Sequence, residues 1–356
     1  MEYKFSQLFT WSSGKPIIPT AGNVPIYGSN GIIGYTSTAK YKNRIILGRV
    51  GAYCGSVEYC PDDFNATDNT LITTCDETKI AYPFAYYLLK QYRLNDFAGG
   101  AAQPLITQGL LKHLKCDIPN LNTQKHIADI LSAYDDLIEN NNRRIALLEK
   151  AAQELYKEWF VRFRFPGHET TKFENGLPEG WDIRKMGDMS KIGSGGDAPK
   201  DYSPVRTPEY SVPIFSNGIT NDGLYGFAKK GTKKANSITI SARGTVGFTC
   251  LRFEPYLPIV RLLSIEPDFE VVNVYYLYHN LKNDTIDGYG TSQQQITIPY
   301  FSRKRVIVPP VSLQNDFGNI VDKFYIQINQ LKAKNENLAQ QRDLLLPRLM
   351  SGKLEV

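Results

Sequence analysis

Val24-Pro25-Ile26-Tyr27 followed by Ser29-Asn30-Gly31 returns as Val212-Pro213-Ile214-Phe215 followed by Ser216-Asn217-Gly218. Ala85-Tyr86-Tyr87-Leu88 returns as Val274-Tyr275-Tyr276-Leu277. Further on the register is constant at an offset of 190: Ile106-Thr107 matches Ile296-Thr297, Pro119 matches Pro309, and Gln124 matches Gln314. Ile130, Ile138, Leu148 and Leu155 likewise match Ile320, Ile328, Leu338 and Leu345. A period this long is far outside the roughly 20–50 residues of solenoid repeats. It marks a duplicated module, a domain with a helical tail. Two such modules in one chain suit a ligand that has two sites in a row.

The first part of each copy is rich in Gly, Pro, Asn, Thr and Tyr and carries short β-branched runs. Arg44-Ile45-Ile46-Leu47, Ser237-Ile238-Thr239-Ile240 and Arg305-Val306-Ile307-Val308 are examples. Turn signals such as Ser29-Asn30-Gly31 and Asp222-Gly223 interrupt them, so short strands and tight turns are expected. One apolar patch per copy, at 82–92 and 271–281, reads as a helix. Each copy is therefore a mixed α+β domain with a curled sheet.

Pro119 and Pro309-Pro310 close the β-rich parts, and Asn122 and Ser312 are the expected N-caps of two helical segments. Ile127, Leu131, Tyr134, Ile138, Asn141, Ile145, Leu148, Ala152, Leu155 and Trp159 keep a 4-3 spacing. Phe317, Val321, Phe324, Ile328, Leu331, Asn335, Leu338, Arg342, Leu345 and Leu349 do the same. A period of 3.5 over more than four heptads is a coiled-coil seam. A helix of about 40 residues spans roughly 60 Å. A seam Asn costs stability but sets register, because it needs a polar group opposite. Antiparallel packing puts Asn141 and Asn335 in one layer, whereas parallel packing faces each with an aliphatic residue. The spacing predicts an antiparallel coiled coil with pseudo-twofold symmetry. Trp159, Phe160, Phe163 and Phe165, at the end of the first helix, are expected to pack on the second globular domain.

With 356 residues and 42% hydrophobic residues the chain can build two cores. Its mean hydropathy is −0.32. No stretch approaches the ~20 apolar residues of a membrane span, and Met1-Glu2-Tyr3-Lys4 lacks the build of a signal peptide. A soluble, cytoplasmic protein with no membrane partner is expected. Five cysteines without a close pair and four scattered histidines argue against zinc or a disulfide framework. The net charge is +5. Residues 1–120 hold 11 Lys/Arg against 9 Asp/Glu, and residues 166–312 hold 17 against 15. That permits nucleic-acid binding through local patches without demanding it.

No P-loop, methyltransferase motif or nucleophile–base pairing stands out. Asp62 with Glu77 and Lys79 matches the loose spacing of metal-dependent nucleases, which leaves a nuclease as one alternative. A coiled-coil assembly scaffold without a DNA role is the other. The binding features are more coherent. Arg49 ends a β-run before Gly51, and Arg243 precedes Gly244 and Gly247. An arginine on such a turn can form a bidentate contact with guanine or phosphate. Asn30 and Asn217 occupy the repeated turn. Gln103, Gln293 and Gln294 precede the repeated Ile-Thr, and Gln can pair with adenine. Lys112, Lys115, Lys230, Lys233, Arg303 and Lys304 supply short basic clusters. No metal site and no cofactor is expected for this chain.

The run Pro119-Asn120-Leu121-Asn122-Thr123-Gln124-Lys125-His126-Ile127-Ala128-Asp129-Ile130-Leu131, its counterpart Pro309-Pro310-Val311-Ser312-Leu313-Gln314, and the ending Leu338–Leu354 carry a resemblance. The chain resembles the specificity subunit of type I restriction–modification systems, over essentially its whole length. The resemblance implies two target recognition domains (1–120 and 166–311), each followed by a conserved spacer helix (121–165 and 312–356). Each domain would read one half of a split target in double-stranded DNA. Two methylation subunits using S-adenosylmethionine would bind along the helices, with restriction subunits outside them. The chain would be non-catalytic. The recognition domains are the variable part of that family, so the contact residues above rest on chemistry and repeat position alone.

Overall fold

The computed structural model describes residues 2–99, 104–284 and 295–354. Two compact units divide the chain: Met1–Asn142 with Lys332–Val356, and Arg143–Leu331. In the first unit the strands are β1 (Glu2–Lys4), β2 (Phe9–Ser13), β3 (Val24–Gly28), β4 (Gly31–Thr36), β5 (Tyr41–Gly48), β6 (Val57–Ala66), β7 (Thr70–Cys75) and β8 (Lys115–Asp117). Helices α1 (Tyr82–Gln91) and α2 (Gln108–His113) precede the long α3 (Leu121–Tyr156). Six strands form one sheet in the order β2-β7-β5-β6-β3-β4, and β1 pairs with β8. Ile45, Ile46 and Leu47 of β5 are all buried, so this central strand is covered on both faces and reads as a continuous apolar run. One core joins Phe5, Leu8, Ile45, Leu47, Phe84 and Leu89 to Ile127 and Leu131 of α3.

The second unit adds β9 (Phe173–Glu174), β10 (Leu177–Pro178), β11 (Asp182–Lys185), α4 (Met186–Met189), β12 (Ser190–Ser194), β13 (Val212–Phe215), β14 (Leu224–Ala228), β15 (Ser237–Ile240), β16 (Thr249–Arg252), β17 (Leu257–Pro258), β18 (Leu263–Pro267), α5 (Val274–Asn283), α6 (Ile298–Ser302), β19 (Arg305–Val308) and α7 (Val311–Met350). Its sheets run β12-β18-β15-β16 and β14-β13-β17. This is the order of the first unit, with β16 and β17 together standing for the unbroken β6. The parallel pairing of β3 with β6 recurs as β13 with β17. The register shift between Ile26 and Tyr27 recurs between Ile214 and Phe215. The duplication is thus a duplication of topology.

The match of Ala85–Leu88 with Val274–Leu277 is three residues out of register in space. Lys90 reaches Tyr86 in α1 and Lys282 reaches Tyr278 in α5, each as a cation over a ring. Ala81 and Asn273 precede the two helices. Tyr82 therefore corresponds to Val274, and Tyr87 to His279.

The long helices pair antiparallel. Asn141 Nδ2 donates to Asn335 Oδ1 at 2.8 Å, and Asn335 Nδ2 to Asn142 Oδ1 at 2.8 Å. Seven residues further along α7, Arg342 reaches back to Asp135. Leu349 is buried in one core with Ile127 and Leu131. In the second unit Phe317 packs against Tyr156 and Trp159, with ring centroids 6.2 and 6.1 Å apart. Trp159, Phe160 and Phe165 are buried in the core of that unit, and Phe163 packs on Trp181. A single π turn, Lys157–Val161, ends the first helix and carries the buried Trp159 and Phe160.

The cap of α3 is Asn120 rather than Asn122: Asn120 Oδ1 accepts from Thr123 N at 3.0 Å. A glutamine secures each junction between domain and helix. Gln124 is fully buried. Its Oε1 accepts from Ala81 N at 3.0 Å, and its Nε2 donates to Lys79 O and Pro119 O at 2.8 and 2.9 Å. Gln314, also fully buried, accepts from Asn273 N at 2.9 Å and donates to Pro309 O and Val271 O at 2.7 and 3.3 Å.

Candidate nucleic-acid interface

In each domain the turn after the central strand is welded to the segment that opens a short helix. Gly48 N donates to Ser56 O at 2.9 Å and Gly55 N to Gly48 O at 2.8 Å, which closes the turn after β5. Ser241 N to Phe248 O and Gly247 N to Ser241 O, both 2.9 Å, close the turn after β15. Gly51 and Gly244 have φ of +76° and +71° with open space where a side chain would stand, a left-handed conformation that favours glycine. Ile106 N then donates to Arg49 O at 3.0 Å, and Ile296 N to Ala242 O at 3.1 Å. This explains the repeated Ile-Thr. The isoleucine enters the core, and the threonine hydroxyl caps α2 or α6 by accepting from Leu110 N or Tyr300 N.

The same bonds revise the pairing of the two arginines. Arg49 corresponds to Ala242, and Arg243 corresponds to Val50. Successive side chains on an extended chain point to opposite faces, so the arginines differ. Arg49 is half-buried, and its Nε is buried without a hydrogen-bond partner. Arg243 is exposed, and its Nη2 donates to Gln295 Oε1 at 3.1 Å.

Asn30 sits exposed at the β3–β4 turn. It lines a shallow groove of about 840 Å³ with Ile17, Ile18, Ile33, Thr67 and Asn69. Asn217 is committed to its own fold: its Nδ2 donates to Val260 O, and its Oδ1 accepts from Ala242 N at 2.8 Å. Three of the basic candidates are paired. Lys115 meets Glu2 at 2.9 Å, Lys233 meets Glu266 at 2.9 Å, and Lys304 meets Asp284 at 2.6 Å. Lys112, Lys230 and Arg303 are exposed. Gln103, Gln293 and Gln294 lie outside the described residues.

A model of the type I restriction modification DNA specificity domain matches residues 3–150 and again residues 178–340. The chain belongs to this specificity-domain family. It is 25% identical over 311 residues to a putative type I specificity subunit of Mycoplasma pneumoniae, spanning 86% of this chain and 82% of that one. It is 28% identical over 299 residues to a type I restriction enzyme specificity subunit of Methanocaldococcus jannaschii, spanning 77% and 69%. The crystal structure of an S subunit from M. genitalium superposes with a TM-score of 0.61 at 21% identity, covering 98% of this chain and 96% of that one. That likeness establishes the fold. As a member of this family the chain is a DNA-sequence-recognition subunit, not a catalytic one. Among the described residues no helix is long and apolar enough to cross a membrane.

Two readings of the sequence change in this frame. Lys79 is held by Asp76 at 2.7 Å and donates to Gln7 O, so it serves the turn before α1. Among the described residues no cluster of His, Cys, Asp and Glu could hold a metal ion. The family match leaves neither the nuclease nor the scaffold reading with support.

Sequence reasoning missed Arg252. It is 5% exposed. Its Nε donates to Thr239 Oγ1 at 2.9 Å, its Nη2 to Asp222 O at 2.8 Å, and its guanidinium lies 3.5 Å from the Phe215 ring centroid. Burial lowers its pKa. Arg252 thereby clamps the turn after β13, where Asn221 and Asp222 have φ of +48° and +55°. An arginine in a short strand gives no sequence signal for this role.

Proposed function

We propose that this chain is the specificity subunit of a type I restriction–modification complex in the cytoplasm. Target recognition domains at 1–120 and 166–311 each read one half of a split sequence in double-stranded DNA. Helices 121–165 and 312–356 carry two methylation subunits, with restriction subunits in the full complex. The Asn141–Asn335 layer fixes the register of the helices. The observation that carries this reading is that the specificity-domain model matches both copies separately. Asn30, Arg49, Lys112, Lys230, Arg243 and Arg303 are the proposed DNA contacts. Lys233 and Lys304 are engaged by Glu266 and Asp284, and Asn217 by backbone groups, whereas Lys115 stands in an exposed pair with Glu2 and stays a candidate.

Co-expression with the methylation subunit, followed by sequencing of host DNA for modified bases, tests this. The expected result is two short specified runs around a fixed unspecified gap. A continuous motif, or a complete complex that modifies nothing, would overturn it.

A further inference from the structure

Arg243 and Gln295 occupy positions whose counterparts in the first domain are Val50 and Leu105. The counterpart of Arg243 is set by the bonds of the flanking turn, and Gln295 and Leu105 each precede the isoleucine that those bonds pin. In the first domain Val50 and Leu105 face each other as an antiparallel bridge. The same backbone site therefore carries an apolar pair in one domain and a hydrogen-bonded polar pair in the other.

Resting on the function proposed above, we propose that Arg243, held in plane by Gln295, reads a guanine in the half-site of the second domain. Two observations, with the chemistry of arginine, point to this base. Arg243 is exposed beside Gly244, which has a φ of +71° and open space where a Cβ would stand. Arginine offers donors only, and guanine is the base that presents two acceptors, N7 and O6, in the major groove. The 3.1 Å bond from Arg243 Nη2 occupies Gln295 Oε1. A glutamine needs that oxygen to pair with adenine, so Gln295 acts here as the support and not as the reader. Val50 and Leu105 cannot donate, so the first domain places no such demand at the corresponding base.

The test is selection from a random duplex library by the full chain assembled with its methylation subunits. The wild-type complex should select a split motif with a guanine in one half. Arg243→Ala should make that one position degenerate, with on the order of ten- to a hundred-fold loss of discrimination, and leave the other half unchanged. Gln295→Leu should weaken the same preference to a smaller degree. Arg243→Lys keeps the charge but loses the fork, so it should also relax the guanine. A phosphate contact gives a different result: uniform weakening, a salt slope smaller by about one, and an unchanged motif. That result, or a change in the other half-site, would overturn the assignment. A wild-type complex that selects no split motif would instead overturn the function on which it rests.

Discussion

Replacing Gln124 with leucine removes three hydrogen bonds from a fully buried side chain while nearly conserving its volume. Each bond contributes about 1 kcal/mol net, and a stranded donor such as Ala81 N–H adds about 1–3 kcal/mol more. The expected loss is roughly 4–6 kcal/mol. For a unit of this size each kcal/mol moves the Tm by about 2–4 °C, so Gln124→Leu should lower the melting of the first unit by on the order of 10 °C. Differential scanning calorimetry of the full chain reads this directly. Gln314→Leu should act on the second unit and more weakly, because its bond to Val271 O is 3.3 Å long. A shift below about 2 °C for Gln124→Leu would refute the view that these glutamines tie domain to helix.

The packing makes three further outcomes testable. Asn141→Leu strands one face of Asn335 and should cost about 1–2 kcal/mol in thermal unfolding, whereas the double Asn141→Leu, Asn335→Leu chain should recover that loss with a less specified register. His279 is buried among Tyr156, Tyr278, Tyr325 and Phe317, with Nδ1 2.7 Å from Gln153 Oε1, and burial holds its pKa at about 3. The unfolded chain takes up a proton near pH 6.5 and the folded one does not, so stability should fall as pH drops from 6.5 toward 3, by up to about 1.4 kcal/mol per pH unit. Denaturant unfolding against pH measures it, and His279→Gln should flatten the slope. Arg252→Met should cost about 2–4 kcal/mol in thermal unfolding, since it removes the buried bonds from Arg252 to Asp222 O and Thr239 Oγ1.

Wherever local periodicity decided the outcome, the sequence was sufficient. The seam residues of both long helices are buried or half-buried, and the Asn141–Asn335 pair lies in one layer. The repeated Ile-Thr and Gln stand out because each does the same work twice. Other features depend on partners that the sequence does not place. The slip between α1 and α5 arose because three residues is nearly one helical turn, so a shifted alignment keeps the apolar face. Neighbouring glycines pair Arg49 with Arg243 in the sequence, yet one residue along an extended chain reverses a side chain. Lys115, Lys233 and Lys304 meet Glu2, Glu266 and Asp284, none of them a near neighbour in sequence. Even the chemistry of an equivalent site is exchanged. Tyr87 bonds Asp135 at 2.6 Å in the first unit, and His279 meets Tyr325 at 3.2 Å in the second. Arg342 is tolerated in the seam because it reaches that same Asp135.

Under the proposed function each domain reads its own half-site. The most direct measurement is to replace residues 166–311 with the corresponding domain of a related specificity subunit and to sequence the modified bases of the host. The expected motif has one half exchanged and the other retained. A motif in which both halves change, or neither does, would contradict it.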